Sequence, residues 1–432
     1  MANDEAYDEF FAEQEQRARR RRERRRVREE GRVRRARLRL PRELAQLLDA
    51  PGGRWLVGSV AAIAMLTVVG LLALWPHGWQ PHGPAVGVTV PAEVVSVTDA
   101  RCPSSPVVQQ CRTAVIRADG RRARLTLGPV LSAPAVAAGE AVRVTRTPVP
   151  KGERLPRGAE PYAFVDVDRH GALLWMALAV LALALVLLRW RGLLAVVGVV
   201  LSLFIVLAFL VPAILSGRPA LLVALVAALA VMFITLVLTN GLGAQTLAAA
   251  LGISVTLVLA CGLAEAAVSL AHLDGKTDEV TLALGNQNAS VSLTGVVLAS
   301  MLVGALGVLA DTAVTQASAV MALRRANPAL SAGRLYREAF VVGRDHLSAT
   351  IHTLVLAYTG AALPLLLIMR QSRLPAGDAL NAQSIAEPIA ATVVGCIALI
   401  AAVPLTTGLA ATLVARIPAA TLPEGGGHGH AH

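Results

Sequence analysis

The sequence has 432 residues, of which 55% are hydrophobic and only 16% are charged, and its mean hydropathy is +0.59. A soluble chain normally has about one quarter charged residues, so this chain has too little polar surface to cover a water-soluble globule. The composition excludes a soluble protein and predicts an integral membrane protein that folds in the lipid bilayer.

The formal net charge of +11 is unevenly spread, and much of it comes from the arginine-rich residues 13–40. We predict that residues 1–54 form a basic cytoplasmic arm that sets orientation and contacts anionic lipid head groups. Nucleic-acid binding through phosphate neutralisation is the alternative. Residues 13–40 have no interleaved aromatic residues and no zinc or helix-turn-helix signature, so no nucleic-acid partner is expected.

The first apolar run extends from Trp55 to Trp75. It is about as long as the hydrocarbon core requires, and a tryptophan at each end is typical of the membrane interface. A cleaved signal peptide is the rival interpretation. The run lies far from the N-terminus, exceeds the length of a signal core and lacks a clear A-x-A site, so residues 55–75 are predicted to be a transmembrane anchor.

Residues 76–170 have a different character, with proline and glycine separating short stretches of alternating, β-branched residues. This pattern predicts five or so short strands, and hence a small β-barrel or sandwich. Cys102 and Cys111 lie in this region and could form one disulfide if it faces an oxidising compartment. Cys261 and Cys396 lie in apolar runs and are interpreted as small core residues.

Further apolar runs of membrane-spanning length follow. The predicted spans are residues 172–188, 193–211, 220–238, 247–270, 291–318, 349–369 and 386–413. They would form a bundle over residues 171–415, followed by a cytoplasmic His-rich tail, residues 416–432. The predicted fold is mainly α, with about eight transmembrane helices and a small β-rich extracytoplasmic domain between the first and second.

Positive charges on short loops predict the orientation. If the N-terminus is cytoplasmic, Arg189, Arg191, Arg416 and the basic residues between 324 and 344 all fall on the same side as the arm. Few basic residues fall on the short outer loops. Both termini are therefore predicted to be cytoplasmic, and residues 76–170 extracytoplasmic.

Asp311 is the clearest charged residue within a predicted span, where a charge is expensive and requires a partner or water. Small or polar residues recur around it at helical spacing, at Ser300, Gly304, Gly307, Asp311, Thr315 and Ser318. Steps of three and four place them on one helix face, and glycines on that face allow another backbone to approach closely. We therefore expect Asp311 to face a neighbouring helix.

The next span has a matching stripe of small and polar residues, which we expect to meet the Asp311 stripe. Its members and neighbours are Arg344, Asp345, His346, Thr350, His352, Thr353, Ala357, Tyr358, Gly360 and Pro364. Two interpretations remain open. In the first, Asp311 pairs with Arg344 or with threonine hydroxyls and holds the bundle together. In the second, the cluster binds a cation or proton on a transport path.

Two further acids and a histidine tract are weaker candidates. Glu387 lies at the start of the last span, where the helix dipole favours an acid, and is mainly interpreted as a helix-start residue. Glu265 lies deeper, where lining a pore is an alternative. His428, His430 and His432 could bind a metal loosely, although such tails usually have no structural role. No cofactor is expected.

The C-terminal half resembles the YibE/F-like family of bacterial membrane proteins over about residues 170–415. The resemblance rests on Gly307 and Asp311, on Gly343, Arg344 and Asp345, on Thr350, Thr353, Ala357, Tyr358 and Gly360, and on Pro404, Thr406 and Thr407. His352 departs from the less polar residue expected there. The resemblance implies the architecture, and for activity it implies only that transport has been suggested.

The leading functional hypothesis is a permease or exporter of a small solute or ion, with proton coupling through Asp311 as the simplest mechanism. The alternative is a non-transporting scaffold that presents the β domain to envelope partners. No Walker motif, HExxH or G-x-S-x-G at a span end occurs in the sequence, so neither direct ATP use nor an enzyme is expected. A homo-oligomer is left open.

Overall fold

A computed structural model describes residues 47–48, 51–78, 89–102, 110–147, 160–276, 291–371 and 375–416. The chain divides into two compact units, one formed by Met1–Trp79 with Val197–His432 and the other by Gln80–Val196. The basic residues 13–40 and the three tail histidines lie outside the described residues, so the predictions for them stay predictions. The predicted limits of the bundle and of the tail also remain predictions.

Within the described residues, eight helices are long and apolar enough to cross a membrane. They are α1 (Pro51–Leu74), α2 (His170–Leu188), α3 with α4 (Trp190–Ile205 and Val211–Leu215), α5 (Ala220–Asn240), α6 (Ala244–Leu270), α7 (Leu293–Ala326), α8 (Ala332–Gln371) and α10 (Gln383–Ala415); a short helix, α9, covers Ala376–Asn381. The predicted fold class is confirmed: the chain is a mainly α, multi-pass membrane protein.

The larger unit is organised around α7, which packs against α5, α6, α8 and α10. Its core contains many small side chains, and Ala248, Ala249 and Ala260 of α6 and Ala313 and Ala317 of α7 are almost fully buried. Lipid tails are as apolar as leucine, so helices in a bilayer gain stability chiefly from close van der Waals packing, which small residues permit.

Helices α7 and α8 extend beyond their predicted spans at the end where they join. Leu335, Ala339 and Gly343 are buried on the added part of α8, so packing continues past the apolar segment. The Arg324 guanidinium donates to the carbonyls of Leu330 (2.8 Å) and Ala415 (3.3 Å), which ties the α7–α8 turn to the end of α10. Hydropathy alone detects only the lipid-embedded part of such a helix.

The third span is interrupted by a π-helical turn, Val206–Leu210, just before Pro212. Proline has no N–H and its ring displaces the carbonyl of the preceding turn, which accounts for the local widening. The turn brings Phe209 against Trp75, with ring centroids 5.8 Å apart. Trp75, predicted as an interfacial anchor, therefore also packs the end of α1 against the bundle.

The smaller unit contains one antiparallel sheet of five strands in the order β3-β2-β1-β4-β5. The strands are β1 (Thr89–Arg101), β2 (Gln110–Ala118), β3 (Arg121–Pro129), β4 (Ala141–Arg146) and β5 (Tyr162–Val167). Ile116, Leu125, Val142 and Val144 are fully buried between them. The predicted β-rich domain after the first helix is confirmed as a half-barrel, and the sandwich alternative is wrong.

Polar side chains close the open side of this half-barrel. Glu160, just before β5, accepts hydrogen bonds from the Thr126 N–H (2.9 Å) and hydroxyl (2.6 Å) on β3. Asp119 accepts from Arg146 (2.8 Å) and Tyr162 (3.0 Å), and the Arg146 bond is the main cause of the lowered pKa of Asp119. These bonds connect strands that are not neighbours in the sheet.

Cys102 and Cys111 form a disulfide between the end of β1 and the start of β2. The bond lies at the place where the β1–β2 ladder ends. The disulfide that the sequence allowed is therefore present in the structure. Cys261 and Cys396 are free and half-buried on α6 and α10.

The α2–α3 connection is as tight as the sequence predicts. Arg189 ends α2 with φ of 56°, and α3 begins at the next residue. A Cβ at Gly192 would overlap the Ala184 carbonyl, so only glycine fits where the helices diverge. No residue of α2 is buried, and its surface is apolar all round, as expected for a helix in contact with lipid.

We predict that Gly252→Ala destabilises the protein, because an added Cβ would lie 2.6 Å from the Thr406 hydroxyl oxygen on α10. Overpacking of this kind costs about 1–3 kcal/mol, and Thr406 is fully buried and cannot swing away. Gly262→Ala on the same helix is the control, because no atom lies within 4 Å of its added Cβ. Thermal unfolding in detergent should show a lower midpoint for Gly252→Ala only; equal midpoints would contradict this packing.

Candidate functional site

The stripe around Asp311 lies on one face of α7. Ser300, Gly304, Gly307 and Asp311 are exposed in the described structure, whereas Leu302, Leu309 and Ala313 on the opposite face are buried. Thr315 is half-buried further along the helix. The exposed stripe and the side of α8 next to it together form what we term the α7–α8 groove.

Asp311 lies closest to His346 of α8, with 3.6 Å between the carboxylate oxygen Oδ2 and Nε2. The Asp311 side chain is 67% exposed and that of His346 is 39% exposed. Within the described residues His346 Nε2 has no hydrogen-bond partner. An acid and an imidazole therefore face each other across the groove, in helices that qualify as membrane spans.

Arg344, which the sequence suggested as a partner of Asp311, instead pairs with Asp345 at 3.7 Å, and both side chains are exposed. Helical geometry accounts for the difference. Gly343, His346 and Thr350 recur at steps of three and four and so share the face of α8 that meets α7, whereas Arg344 and Asp345 are rotated away from it. The sequence pattern puts His346 at the edge of this helix, but it did not predict His346 as a site residue.

Not all predicted hydroxyls and imidazoles lie in the groove. Thr350 is half-buried, and its hydroxyl donates to the His346 carbonyl at 3.0 Å. Thr353 and His352 are exposed and bond to carbonyls of their own helix, those of Ala349 and Ser348. Glu265 lies on the exposed side of α6, and no described contact brings it to Asp311.

Tyr358 also lies on the groove, further along α8 than His346. Its hydroxyl packs directly on Gly304, where an added Cβ would overlap it. Beyond Tyr358 is a cavity of about 350 Å³ between α7, α8 and α10. Its lining residues with polar side chains are Ser300, Tyr358, Ser384 and Glu387.

Glu387 is held in this cavity by its neighbour on α10. The Gln383 amide donates to the Glu387 carboxylate at 2.8 Å. Gln383 also bonds to Asp274, which lies in the loop after α6. The backbone N–H of Lys276, then its side chain, then Gln383 lower the Asp274 pKa to about 2. The Asp274 carboxylate is thus connected to Glu387 through a single amide.

A second polar cluster, which sequence analysis missed, is fully buried between α7, α8 and α10. The Thr407 hydroxyl lies 2.8 Å from Gln316 Oε1 and 2.6 Å from the Val403 carbonyl. The Thr407 hydroxyl is the donor in this contact, and the Gln316 oxygen accepts. The Gln316 NH₂ group has no partner among the described residues.

Close packing surrounds this buried glutamine. A Cβ at Gly343 would lie 2.6 Å from its amide, and the buried hydroxyls of Thr312 and Thr406 have no partner among the described residues. The space is too tight for a ligand, so this cluster joins helices and does not form a binding site. The sequence signal for this cluster is a glutamine in an otherwise apolar helix. Gln316 carries no charge, and a search for charged residues in the spans does not detect it.

The described residues contain no group of three or more His, Cys, Asp or Glu side chains arranged to hold a metal ion. The predicted weak metal site at His428, His430 and His432 lies outside those residues. The titratable groups that the structure brings together are the pair Asp311 and His346 and, at the other end of the groove, Glu387.

A family model described as YibE/F-like protein matches residues 176–416, which is more than half of the chain. The chain belongs to the YibE/F-like family. No match was found among curated proteins or among solved structures. The family match covers all the groove residues and confirms the resemblance inferred from Gly307, Asp311 and the Gly343–Asp345 segment.

We predict that Thr407→Val destabilises this YibE/F-like protein by about 1–3 kcal/mol, because it leaves the buried Gln316 amide without its partner. Combining it with Gln316→Met should restore most of the loss, since both polar groups are then removed. Thr412→Val, an exposed threonine bonded to its own helix, is the control and should stay within about 0.5 kcal/mol of wild type. Unfolding in detergent compares the three variants with wild type. A double mutant no more stable than Thr407→Val alone would contradict the pairing.

Proposed function

We propose that this YibE/F-like protein is a permease or exporter of a small solute or ion, coupled to proton movement at Asp311. The observation that carries the proposal is the Asp311 carboxylate 3.6 Å from His346 Nε2, on a groove between two membrane-spanning helices. Ionisable residues in spans are costly, and chains of acid and histidine residues form proton relays in pumps and transporters.

The surroundings of the pair favour a site that binds and releases rather than one that only holds helices together. Both side chains are partly exposed, and His346 Nε2 has no hydrogen-bond partner in the part of the chain that the structure describes. By contrast, the buried Gln316 cluster joins the same helices without any ionised group. The bundle therefore has a structural polar contact between α7, α8 and α10 already, and Asp311 is free for another role.

Helices that bend can open and close a transport path. Pro364 lies inside α8, and Pro388 and Pro404 lie inside α10. Each proline removes one backbone hydrogen bond and permits bending, and neighbouring helices tolerate such breaks within a bundle. These prolines are on the helices that border the groove and the Glu387 cavity. Since no Walker motif occurs in the sequence, we propose an ion gradient as the energy source.

We also propose that the half-barrel is extracytoplasmic and that both termini are cytoplasmic. Disulfides persist in oxidising compartments outside the cytoplasm, so the Cys102–Cys111 bond supports the orientation that the arginine distribution predicted. The proposed partners are accordingly the bilayer and, at the basic arm, anionic lipid head groups. We propose no enzymatic activity.

A scaffold that presents the half-barrel to envelope partners is the second candidate. The observation that favours it is that residues 80–196 form their own compact unit, with a buried core distinct from that of the helices. Specific capture of envelope proteins by residues 80–168, together with an absence of flux through the bundle, would support the scaffold over the carrier.

The orientation predicts which side of the membrane exposes the disulfide. In intact cells, an impermeant maleimide should label Cys102 and Cys111 only after treatment with an impermeant reductant. Cys102→Ser/Cys111→Ser retains Cys261 and Cys396 and supplies the background. If reductant-dependent labelling occurs only in inverted membrane vesicles, the half-barrel is cytoplasmic and the proposed orientation is wrong.

The coupling proposal predicts that Asp311→Asn abolishes proton movement, because the amide keeps the shape of the carboxyl group but cannot ionise. In proteoliposomes that hold a pH-sensitive dye, wild type should dissipate an imposed pH gradient at least tenfold faster than Asp311→Asn. Asp345→Asn is the matched control, because Asp345 lies on the same helical hairpin but pairs with Arg344 outside the groove.

The control should retain the wild-type rate. Equal rates for wild type and Asp311→Asn, with both above protein-free liposomes, would remove Asp311 from the coupling step. Equal loss in Asp311→Asn and Asp345→Asn would indicate a general effect of surface charge and would also contradict the proposal.

A further inference from the structure

The cavity next to Glu387 has a lining whose charge and donor atoms point to one chemical class of ligand. Among the described residues that line it, Glu387 is the only acid and there is no base. Ser300 and Ser384 add hydroxyl oxygens, and tyrosine, alanine, valine, leucine and proline form the rest. An acidic, oxygen-lined cavity in an apolar bundle attracts a cation and repels an anion.

The number and type of oxygen atoms favour a singly charged cation. Ca²⁺ takes six to eight oxygen ligands, usually from several carboxylates, and Mg²⁺ retains most of its waters beside one or two carboxylates and substrate phosphates. Softer metals prefer imidazole or thiolate, and neither lines this cavity. One carboxylate balances one positive charge, and a volume of about 350 Å³ has room for a cation with part of its water shell, at about 30 Å³ per water.

Hydrogen bonds prepare the lining for a cation. The Ser300 hydroxyl donates its proton to the Val297 carbonyl at 2.8 Å, so its lone pairs remain available. Gln383 donates to Glu387, which fixes the carboxylate without neutralising it. Lys276, the base on the neighbouring loop, is held by Asp274 at 3.0 Å and is not part of the lining.

The cavity and the groove that holds Asp311 share Ser300 and Tyr358. Ser300 lines the cavity and also begins the exposed stripe of α7. Asp311 lies about three turns, or ~16 Å, from Ser300 along that helix. Tyr358 lies between them, with its ring at the cavity and its hydroxyl on Gly304. Gly307, the next residue of the stripe, has open space beside it.

We infer that the Glu387 cavity is a binding site for a small monovalent cation such as Na⁺ or K⁺, and that Tyr358 on Gly304 is the barrier between this site and Asp311. The inference rests on the proposed function, because it identifies the cargo or coupling ion of the same groove. It assigns Glu387, interpreted from the sequence as a helix-start residue, the role of cation ligand.

Binding is tested without transport, on the full-length protein in detergent. The melting temperature is measured against increasing NaCl, KCl and MgCl₂, with choline chloride at equal ionic strength as the reference. Wild type should be stabilised by Na⁺ or K⁺ beyond choline. Glu387→Gln should need at least tenfold more of that salt for the same shift. Glu338→Gln, an exposed acid of α8 outside the cavity, should behave as wild type.

Several outcomes would overturn the site. They are an absence of any shift beyond choline in wild type, an unchanged shift in Glu387→Gln, and a stronger response to Mg²⁺ than to monovalent cations. The proposed function fails separately: if Asp311→Asn leaves proton movement intact while Glu387→Gln still loses the cation-dependent shift, the cation site stands and the coupling role of Asp311 does not.

The barrier is tested by cation leak in proteoliposomes, with Tl⁺ entry as the probe. Tyr358→Ala removes the ring and hydroxyl from Gly304 and should raise the passive leak at least tenfold over wild type. Leu356→Ala, an exposed apolar residue of the same helix, is the control and should not raise it. An unchanged leak in Tyr358→Ala, with the protein still folded by its melting curve, would remove the barrier role.

Discussion

Hydrocarbon supplies no hydrogen-bond partners, so a polar side chain within a membrane span is stabilised by partners inside the bundle. Most hydroxyls find such a partner locally. Thr67, Ser202 and Thr256, for example, donate to carbonyls one turn back on their own helices. What remains are groups that a single helix cannot satisfy, chiefly Gln316 and the Asp311–His346 pair, and these determine how α7 meets α8 and α10.

The two sets have opposite consequences. Gln316 is fully buried and closely packed against Gly343 and Thr407, so it fixes the contact of three helices. Asp311 and His346 are partly exposed and separated by more than a hydrogen-bond distance, so they can exchange partners. Glycine permits both arrangements, since Gly343 admits the glutamine amide and Gly304 admits the Tyr358 hydroxyl. A rigid contact and an open groove are thus built into one pair of helices.

The half-barrel obeys a different rule. Outside the membrane its edges can bond to water, so its order comes from a small apolar core and from polar links between distant strands. Glu160 joins β5 to β3, Asp119 joins the β2–β3 turn to β4 and β5, and the disulfide closes the β1–β2 end. Alternating β-branched residues predicted the strands. They could not predict which strands meet across the opening, because that depends on contacts between residues far apart in sequence.

The sequence by itself determined the medium, the eight spans, the five strands and the placement of Ser300, Gly304, Gly307 and Asp311 on one helix face, because hydropathy and helical periodicity are local properties. Tertiary structure decided which residue faces Asp311: the rotation of α8 presents His346 and turns Arg344 away. It also decided the length of α7 and α8 beyond the apolar segment, the burial of Gln316 and the meeting of Tyr358, Ser300 and Glu387 around one cavity. Such features depend on how helices approach one another, and no single segment encodes that approach.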